Sequence, residues 1–118
     1  IDYAPTFLAA AGAAVPAAVQ GRSLVPLLKG TTPADWRQSL LYTYYERGCH
    51  KVAPHRGVRD GRYKLIHYYE RDEWELFDLQ KDPREMNSVY KAPAYRETVE
   101  RLKRELQRLM KEAGLQPG

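Results

Sequence analysis

Cysteine is almost absent from this sequence of 118 residues, and long apolar runs are missing. Because Cys49 is the single cysteine, no disulfide can form within the chain. No stretch of about 20 apolar residues occurs, and the N-terminus lacks the basic and apolar segments of a secretion signal, so these residues include neither a membrane span nor a signal peptide. The chain starts at Ile1 without an initiator methionine and runs directly into a helix signal, which we interpret as the middle of a longer polypeptide.

Positive charges only slightly outnumber negative ones, and the formal net charge is +4. This mild basic excess suits anionic ligands such as sulfate, phosphate, an acidic glycan or nucleic acid, without selecting one of them. The nine tyrosines fall largely in strand-like runs. No glycine-bracketed aromatic signature of a nucleic-acid-binding sheet accompanies them, so packing is favoured over base stacking.

Histidine and cysteine are too sparse to predict a metal site. Cys49, His50 and His55 lie close together in the sequence, but no second cluster completes the tetrahedral set that zinc requires. His67 stands on a strand face among tyrosines, and we interpret it as a packed core histidine.

The pair Asp60-Gly61 is the strongest hairpin signal in the chain. A two-residue type I′ turn needs positive φ at both central positions, which Asp and Gly tolerate, so we predict that turn here. A short run around Val58 precedes it. The arm that follows, residues 63–69, has apolar bulk on both faces, which predicts a strand in the interior of the sheet.

The N-terminal third predicts two short helices. Asp2 is placed to cap the first and Gly12 to end it, with Phe7 among the apolar side chains of one face. Ser23 is placed to cap the second helix, over residues 24–29. Helices this short need a surface to pack on.

The remainder predicts an α+β layer. Alternating runs at 39–46 and 74–79 read as strands, which join the two arms of the hairpin in a meander. From Ala94 the spacing of apolar residues becomes helical, which predicts one long helix that covers the sheet. The apolar seam of this helix consists of Tyr95, Val99, Leu102, Leu106, Leu109 and Ala113. A coiled coil is the less favoured alternative, because the seam is short.

Four segments resemble the late part of sulfatases, in that family's order and rough spacing. They are Asp2-Tyr3-Ala4-Pro5-Thr6, Gln20-Gly21-Arg22-Ser23-Leu24, Gly57-Val58-Arg59 with Arg62-Tyr63-Lys64, and Trp74-Glu75-Leu76-Phe77-Asp78 continued by Asp82-Pro83-Arg84. The resemblance covers nearly the whole chain. It is nearest to bacterial and lysosomal sulfatases of the N-sulfoglucosamine sulfohydrolase and iduronate sulfatase kind, which act on sulfated glycans.

The resemblance implies a fold and a domain division. Such proteins have a large α/β catalytic domain, followed by a small domain in which a long helix packs on a four-stranded antiparallel sheet. Residues 1–32 would then be the tail of the large domain, and residues 33–118 the C-terminal α+β domain. The two short helices would lack their natural packing surface, so they would be disordered, packed on the sheet, or paired with another copy of the chain in self-association.

The resemblance also implies that the catalytic groups are not in this chain. A sulfatase uses a formylglycine made within a Cys/Ser-x-Pro-x-Arg motif, and calcium held by oxygen ligands. Cys49 is followed by Lys51 at the proline position and by Ala53 at the arginine position. We therefore assign no catalytic residue and no metal ligand here. Calcium and formylglycine are expected in a catalytic domain outside these residues, and this chain alone is expected to be inactive.

One contact to substrate carries over from the resemblance. His55 stands two residues before Gly57, where relatives have a histidine that helps to hold substrate, although Arg56 replaces the aromatic residue often found between them. We predict His55, Arg56 and His50 as substrate-binding residues of a loop over residues 47–56. A basic solvated loop without this role is the alternative.

The predicted function is that of the C-terminal domain of a sulfuric ester hydrolase acting on sulfated glycans such as glycosaminoglycans. The domain would shape the substrate site and stabilise the N-terminal catalytic domain, its expected partner, with no nucleic acid or membrane involved. The resemblance places the protein in the periplasm, the lysosome or outside the cell. The alternative is a stand-alone, non-catalytic module that binds acidic polysaccharide.

Overall fold

The fold is given by a computed structural model that describes residues 1–46, 48 and 51–115. The chain divides into two compact units, Ile1–Trp36 and Arg37–Gly118. The second unit has the predicted α+β architecture, with a four-stranded antiparallel sheet and a long helix. Among the described residues, no helix combines the length and the apolar character needed to cross a membrane.

The first unit contains two short helices, α1 (Tyr3–Ala10) and α2 (Val25–Leu28). We predicted that the Asp2 side chain caps α1, but it makes no capping hydrogen bond. Its carboxylate instead accepts a hydrogen bond from the Arg22 backbone N–H at 2.9 Å. The Thr6 hydroxyl donates to the Asp2 carbonyl and accepts from the Leu24 N–H at 2.8 Å. These bonds join the two helical segments, which are too short to be stable alone.

The apolar side chains of α1 are distributed differently from the prediction. Phe7 is 71% exposed and Tyr3 is 73% exposed, whereas Pro5 is the buried residue of the helix. Within α2, Leu28 is 77% exposed. The first unit therefore presents large apolar side chains at its surface.

The sheet of the second unit is a simple meander of β1 (Ser39–Tyr44), β2 (His55–Asp60), β3 (Tyr63–Tyr68) and β4 (Glu73–Asp78). Each strand pairs antiparallel with the next. Cross-strand partners share a face, so one row across the sheet forms the base of the core, and it consists of Leu41, Val58, Leu65 and Leu76.

Helix α3 (Arg96–Glu112) follows a 3₁₀ turn at Pro93–Tyr95 and covers this row. Its buried residues are Val99, Leu102, Leu106 and Met110. The prediction placed Leu109 and Ala113 in the seam. Leu109 is half-buried and packs against the core beside the buried Met110, whereas Ala113 is exposed. The reason is that spacings of three, four and four residues follow the 3.6-residue period, whereas a strict 4-3-4-3 pattern drifts off the face. We call the side of the sheet that meets α3 the helix face.

The hairpin between β2 and β3 is present, but its turn differs from the predicted type. The connecting residues are Gly61 and Arg62, and neither Asp60 nor Gly61 has a positive φ. Asp60 acts through its carboxylate, which accepts hydrogen bonds from the backbone N–H of Arg62 at 2.8 Å and of Tyr63 at 2.6 Å. Aspartate can form a turn by this route without adopting a left-handed backbone.

An ion pair between the buried Asp78 and the partly exposed Arg62 stabilises the end of the sheet at the β2–β3 turn. The Asp78 side chain is 2% exposed and accepts two hydrogen bonds from the Arg62 guanidinium, at 3.0 and 2.7 Å. The Tyr95 hydroxyl also donates to it, at 3.2 Å. This network joins β4 to the hairpin turn and to the residue that precedes α3, and the sequence analysis did not anticipate it.

Candidate functional site

The strand β2 begins at His55, so the predicted loop ends two residues earlier than expected. Successive side chains of a strand point to opposite faces, and His55 and Arg56 are therefore separated by the sheet. Arg56 pairs with His67 on the helix face, whereas His55 contacts rings on the opposite face. The structure does not bring these two predicted site residues together.

Three tyrosines surround the His55 imidazole and form what we call the aromatic cluster. The Tyr44 ring stacks on it at a centroid distance of 5.4 Å and an angle of 23°. Tyr68 lies at 5.3 Å and Tyr42 at 6.0 Å, both inclined to the imidazole. Contacts from β1 and β3 thus restrict the imidazole of the strand between them.

A backbone contact defines the hydrogen-bonding capacity of His55. Its Nδ1 lies 2.9 Å from the Ala53 carbonyl oxygen, which can only accept, so Nδ1 carries the hydrogen. In the neutral ring Nε2 is then an acceptor for a hydroxyl or amine, and in the protonated ring it donates to an anion. The same arrangement can serve a sugar hydroxyl or a sulfate oxygen.

Gly57 explains how Tyr42 reaches His55. A Cβ atom at position 57 would stand 2.4 Å from the Tyr42 hydroxyl oxygen and 2.4 Å from the Leu65 carbonyl oxygen. Tyr42 therefore lies across a strand position that only glycine can occupy. Its hydroxyl is buried without a hydrogen-bond partner among the described residues, and burial raises its pKa.

Acidic and basic groups border the aromatic cluster. The Tyr68 hydroxyl donates to Glu75 at 3.2 Å, and burial raises the pKa of Tyr68. The Lys64 ammonium lies 5.7 Å from the Tyr42 ring centroid and pairs with Glu85. The cluster thus combines apolar ring faces with charged groups of both signs at its edge.

The other predicted site residues are less closely connected to the cluster. The Arg56 guanidinium lies 5.1 Å from the Tyr69 ring centroid. His50 falls outside the described residues, as do Arg47 and Cys49. Contact of His50, His55 or Arg56 with substrate therefore stays a prediction.

A groove on the helix face was missed by the sequence analysis. It lies between the ends of β3 and β4 and the C-terminal half of α3, and its lining includes Arg56, His67, Trp74, Tyr90 and Lys103. We call it the helix groove. A local signal existed, because His67 and Trp74 lie on predicted strands, but only their pairing opposite each other in the sheet creates the site.

The prediction of a packed His67 agrees with its environment. The imidazole stacks on Trp74 at 3.8 Å and 10°, and 13% of its side chain is exposed. Its Nε2 lies 3.0 Å from Asp72. Burial lowers the pKa of His67 in spite of the opposing effect of this carboxylate.

Within residues 1–46, 48 and 51–115, no group of three or more His, Cys, Asp or Glu side chains could hold a metal ion. The site is thus built from single side chains on a sheet, with no metal centre among these residues.

The meander with its covering helix and preceding helical segments defines the chain as a small α+β module with an attached helical unit. A family model described as N-sulphoglucosamine sulphohydrolase, C-terminal, matches residues 1–112, and the chain belongs to this family. The resemblance to sulfatases is confirmed.

Individual relatives agree with this assignment. The chain is 45% identical over 116 residues to an N-acetylglucosamine-6-O-sulfatase of Bacteroides thetaiotaomicron, a match that covers 95% of the chain and 21% of the relative. A solved structure of a protein in complex with its substrate D-glucosamine-2-N,6-O-disulfate superposes with a TM-score of 0.86 and 45% identity, over 93% of this chain and 23% of that one.

A more distant structure shares the fold. The phosphonate monoester hydrolase of Silicibacter pomeroyi has a TM-score of 0.77 and 28% identity, over 94% of this chain and 24% of that chain. The chain thus spans about a fifth to a quarter of the length of the relatives it matches.

Proposed function

We propose that this chain is the C-terminal region of a sulfuric ester hydrolase that acts on sulfated glycans. The observation that carries the proposal is the 45% identity over 95% of the chain to an N-acetylglucosamine-6-O-sulfatase. The stand-alone binding module is not favoured, because the matching family model describes a C-terminal region and the chain spans only a fifth of that relative.

In this proposal, the chain contributes a substrate contact rather than the reacting groups. His55 is held by three tyrosine rings and by the Ala53 carbonyl, so its Nε2 is directed without further ordering. Such restriction lowers the entropy cost of binding a sugar. Nε2 would accept from a sugar hydroxyl or amine, or donate to sulfate when the imidazole is protonated.

The chain's proposed structural role is to complete and stabilise a catalytic domain. Ile1, Tyr3, Phe7 and Leu28 are each more than 70% exposed. Side chains of this size are normally buried against other protein surface, and the relatives are four to five times longer than this chain. We therefore assign the catalytic domain as the surface that covers them.

The catalytic domain would supply formylglycine and calcium, following the sulfatase resemblance. There formylglycine would supply the nucleophile, and calcium would offset the charge of the sulfate group. The resemblance also leads us to propose a periplasmic, lysosomal or extracellular location.

A second candidate function is hydrolysis of phosphonate monoesters. It is favoured by the similarity to the phosphonate monoester hydrolase of Silicibacter pomeroyi. Its lower identity, 28% against 45%, makes it the less supported of the two.

The test is to assay the complete protein that carries this chain for sulfate release from D-glucosamine-2-N,6-O-disulfate, with phenyl phenylphosphonate, a phosphonate monoester that releases phenol, as the competing substrate. Rapid sulfate release with slow phosphonate cleavage supports the proposal, and the reverse ratio supports the second candidate.

The His55→Ala variant then tests the contact. Loss of one hydrogen bond to a charged or hydroxyl group is expected to lower kcat/KM about 10- to 100-fold. His67→Ala serves as the control, because it removes the same side chain from the helix face, and it should leave kcat/KM within about threefold. Equal effects of both variants would contradict a direct role for His55.

A further inference from the structure

The helix groove lies on the opposite side of the sheet from His55 and takes no part in the proposed reaction. Its floor is formed by Trp74, with the His67 ring stacked on it at 3.8 Å and the Tyr90 ring nearly parallel to it at 6.1 Å. Trp74 and Tyr90 are only partly buried. The groove therefore offers aromatic surface to a ligand.

Hydrogen bonds to Asp72 keep this floor in place. One carboxylate oxygen accepts from the Trp74 indole N–H at 3.2 Å and lies 3.0 Å from His67 Nε2. The aromatic floor is thus tied to the turn between β3 and β4, and it is formed before any ligand arrives.

A lysine lies over the floor. The Lys103 ammonium is 4.6 Å from the Trp74 ring centroid and 5.3 Å from that of Tyr90. No carboxylate in the described part of the chain forms an ion pair with it. A cation over ring faces is attracted by their quadrupoles but keeps its capacity to bind an anion.

The charges directed into the groove are predominantly positive. Arg56 and Lys103 both line it. Glu73 and Glu75 line it along β4, but strand alternation directs their side chains to the other face, where Glu75 accepts from Tyr68. Asp72 is the acidic group that remains, and it is engaged by His67 and Trp74.

We propose that the helix groove is a second binding site for an anionic glycan, in which Lys103 pairs with a sulfate or carboxylate and the sugar ring lies against Tyr90 and the part of Trp74 that His67 and Lys103 leave accessible. A pyranose exposes C–H groups on its faces and polar groups at its rim, which suits an aromatic floor beside a cation. Unlike an acidic peptide, a sulfated sugar unit satisfies both features with one ring. The class of polymer rests on the proposed function.

The consequence is a division of roles within one small sheet. The His55 face would contact the sugar that reacts, and the helix groove would hold another part of the same polymer or a neighbouring chain. Such a site raises the effective concentration of polymer at the protein without altering the reaction of a monosaccharide.

The experiment measures binding of a fluorescently labelled heparin hexasaccharide to the complete protein by anisotropy. Lys103→Gln is expected to weaken binding about fivefold, the equivalent of one lost anion contact. Arg104→Gln is the matched control, because it removes the same charge from the neighbouring, exposed position of α3, and it should change the Kd by less than about twofold. Trp74→Phe should weaken binding as well, while retaining a ring in the floor.

Three results would overturn the inference. They are an unchanged Kd for Lys103→Gln, equal weakening by Lys103→Gln and Arg104→Gln, and displacement of the hexasaccharide by polyglutamate at the same charge concentration. Release of sulfate from D-glucosamine-2-N,6-O-disulfate is measured in parallel and should be the same in Lys103→Gln and wild type. If the wild type releases no sulfate, the proposed function fails, while the comparison of Kd values still decides the groove.

Discussion

At position 57 a side chain larger than hydrogen has no room. An added Cβ atom would meet the Leu65 carbonyl and the Tyr42 hydroxyl, both at 2.4 Å. The carbonyl belongs to the sheet backbone and cannot move without disturbing the pairing of β2 with β3. One glycine thus permits the Tyr42 ring to cross β2 and to contact His55.

We expect Gly57→Ala to destabilise the chain by about 2 kcal/mol, because a methyl group must displace either backbone or a buried ring. Urea denaturation of the chain measures the change. Gly61→Ala is the matched control: a Cβ at position 61 meets nothing within 4 Å, and its φ is not positive. The control should change the free energy of unfolding by less than about 0.5 kcal/mol. Equal effects at the two positions would show that steric contact is not the cause.

The geometry of a single strand explains why two predicted substrate-binding residues lie on opposite faces of the sheet. His55 and Arg56 are adjacent in sequence, and a loop would have allowed both to face one ligand. A strand directs neighbours to opposite faces, so one side chain meets Tyr44 and the other lines the helix groove.

At the scale of elements, Asp78 connects the strands to the start of α3. Hydrogen bonds from the Arg62 side chain, with a further bond from Tyr95, lower the pKa of Asp78 to about 2 from its ordinary value of 3.8. Because the folded pKa lies below the unfolded one, the charged form stabilises the fold above about pH 4. This contribution disappears as the pH falls from about 4 to about 2.

We expect the free energy of unfolding of the chain to fall between about pH 4 and about pH 2. The fall should be smaller in Asp78→Asn, because the amide does not titrate. Thermal unfolding measured between pH 5 and pH 2 follows both proteins. Glu105 titrates in the same interval, because Arg108 and Ser39 also lower its pKa to about 2, so some pH dependence must remain in Asp78→Asn. Identical pH profiles for the two proteins would show that the Asp78 network does not contribute.

At the scale of the whole molecule, the chain has a well-packed unit and a unit that presents apolar surface. The second unit buries a continuous core between its sheet and α3, with Leu65, Leu76 and Leu102 completely inaccessible. The first unit has Tyr3, Phe7 and Leu28 largely exposed. The second unit also exposes Tyr45 and Met86, so of the six large apolar side chains that are more than 70% exposed among the described residues, four lie in the first unit. The first unit therefore has the larger share of surface suited to a protein partner.

We expect this chain to self-associate when it is produced alone, and the double substitution Tyr3→Ser with Phe7→Ser to reduce the association at least fivefold. The reason is the loss of exposed aromatic area, at about 25 cal/mol per Å² of area removed from water. Sedimentation velocity at several concentrations measures the effect. Met86→Ser is the control, since Met86 is 73% exposed but belongs to the second unit. A chain that stays monomeric at all concentrations would contradict the expectation.

Short stretches of the chain are enough to predict its helices, its strands and its family. Period-two alternation predicted β1, β3 and β4, and the Asp60-Gly61 turn signal predicted β2 as the first arm of a hairpin. The helical apolar period predicted the covering helix. These patterns depend on residues that are close along the chain. The motifs at residues 2–6, 57–66 and 74–79 indicated a sulfatase C-terminal region, which the family match confirmed. The division at residue 32 stays a prediction.

The contacts between side chains of different elements could not be predicted in this way. The position of Lys103 over Trp74 and the Arg62–Asp78 ion pair join residues on separate elements, and the pairing of His67 with Trp74 depends on the register of β3 with β4. Strand register and the docking of α3 set these contacts, and neither leaves a periodic signal in the sequence. The turn at Asp60 is not the predicted type I′ turn. An aspartate can shape a turn in two ways, by adopting a left-handed backbone or by accepting backbone hydrogen bonds with its side chain, and here the Asp60 carboxylate accepts two such bonds.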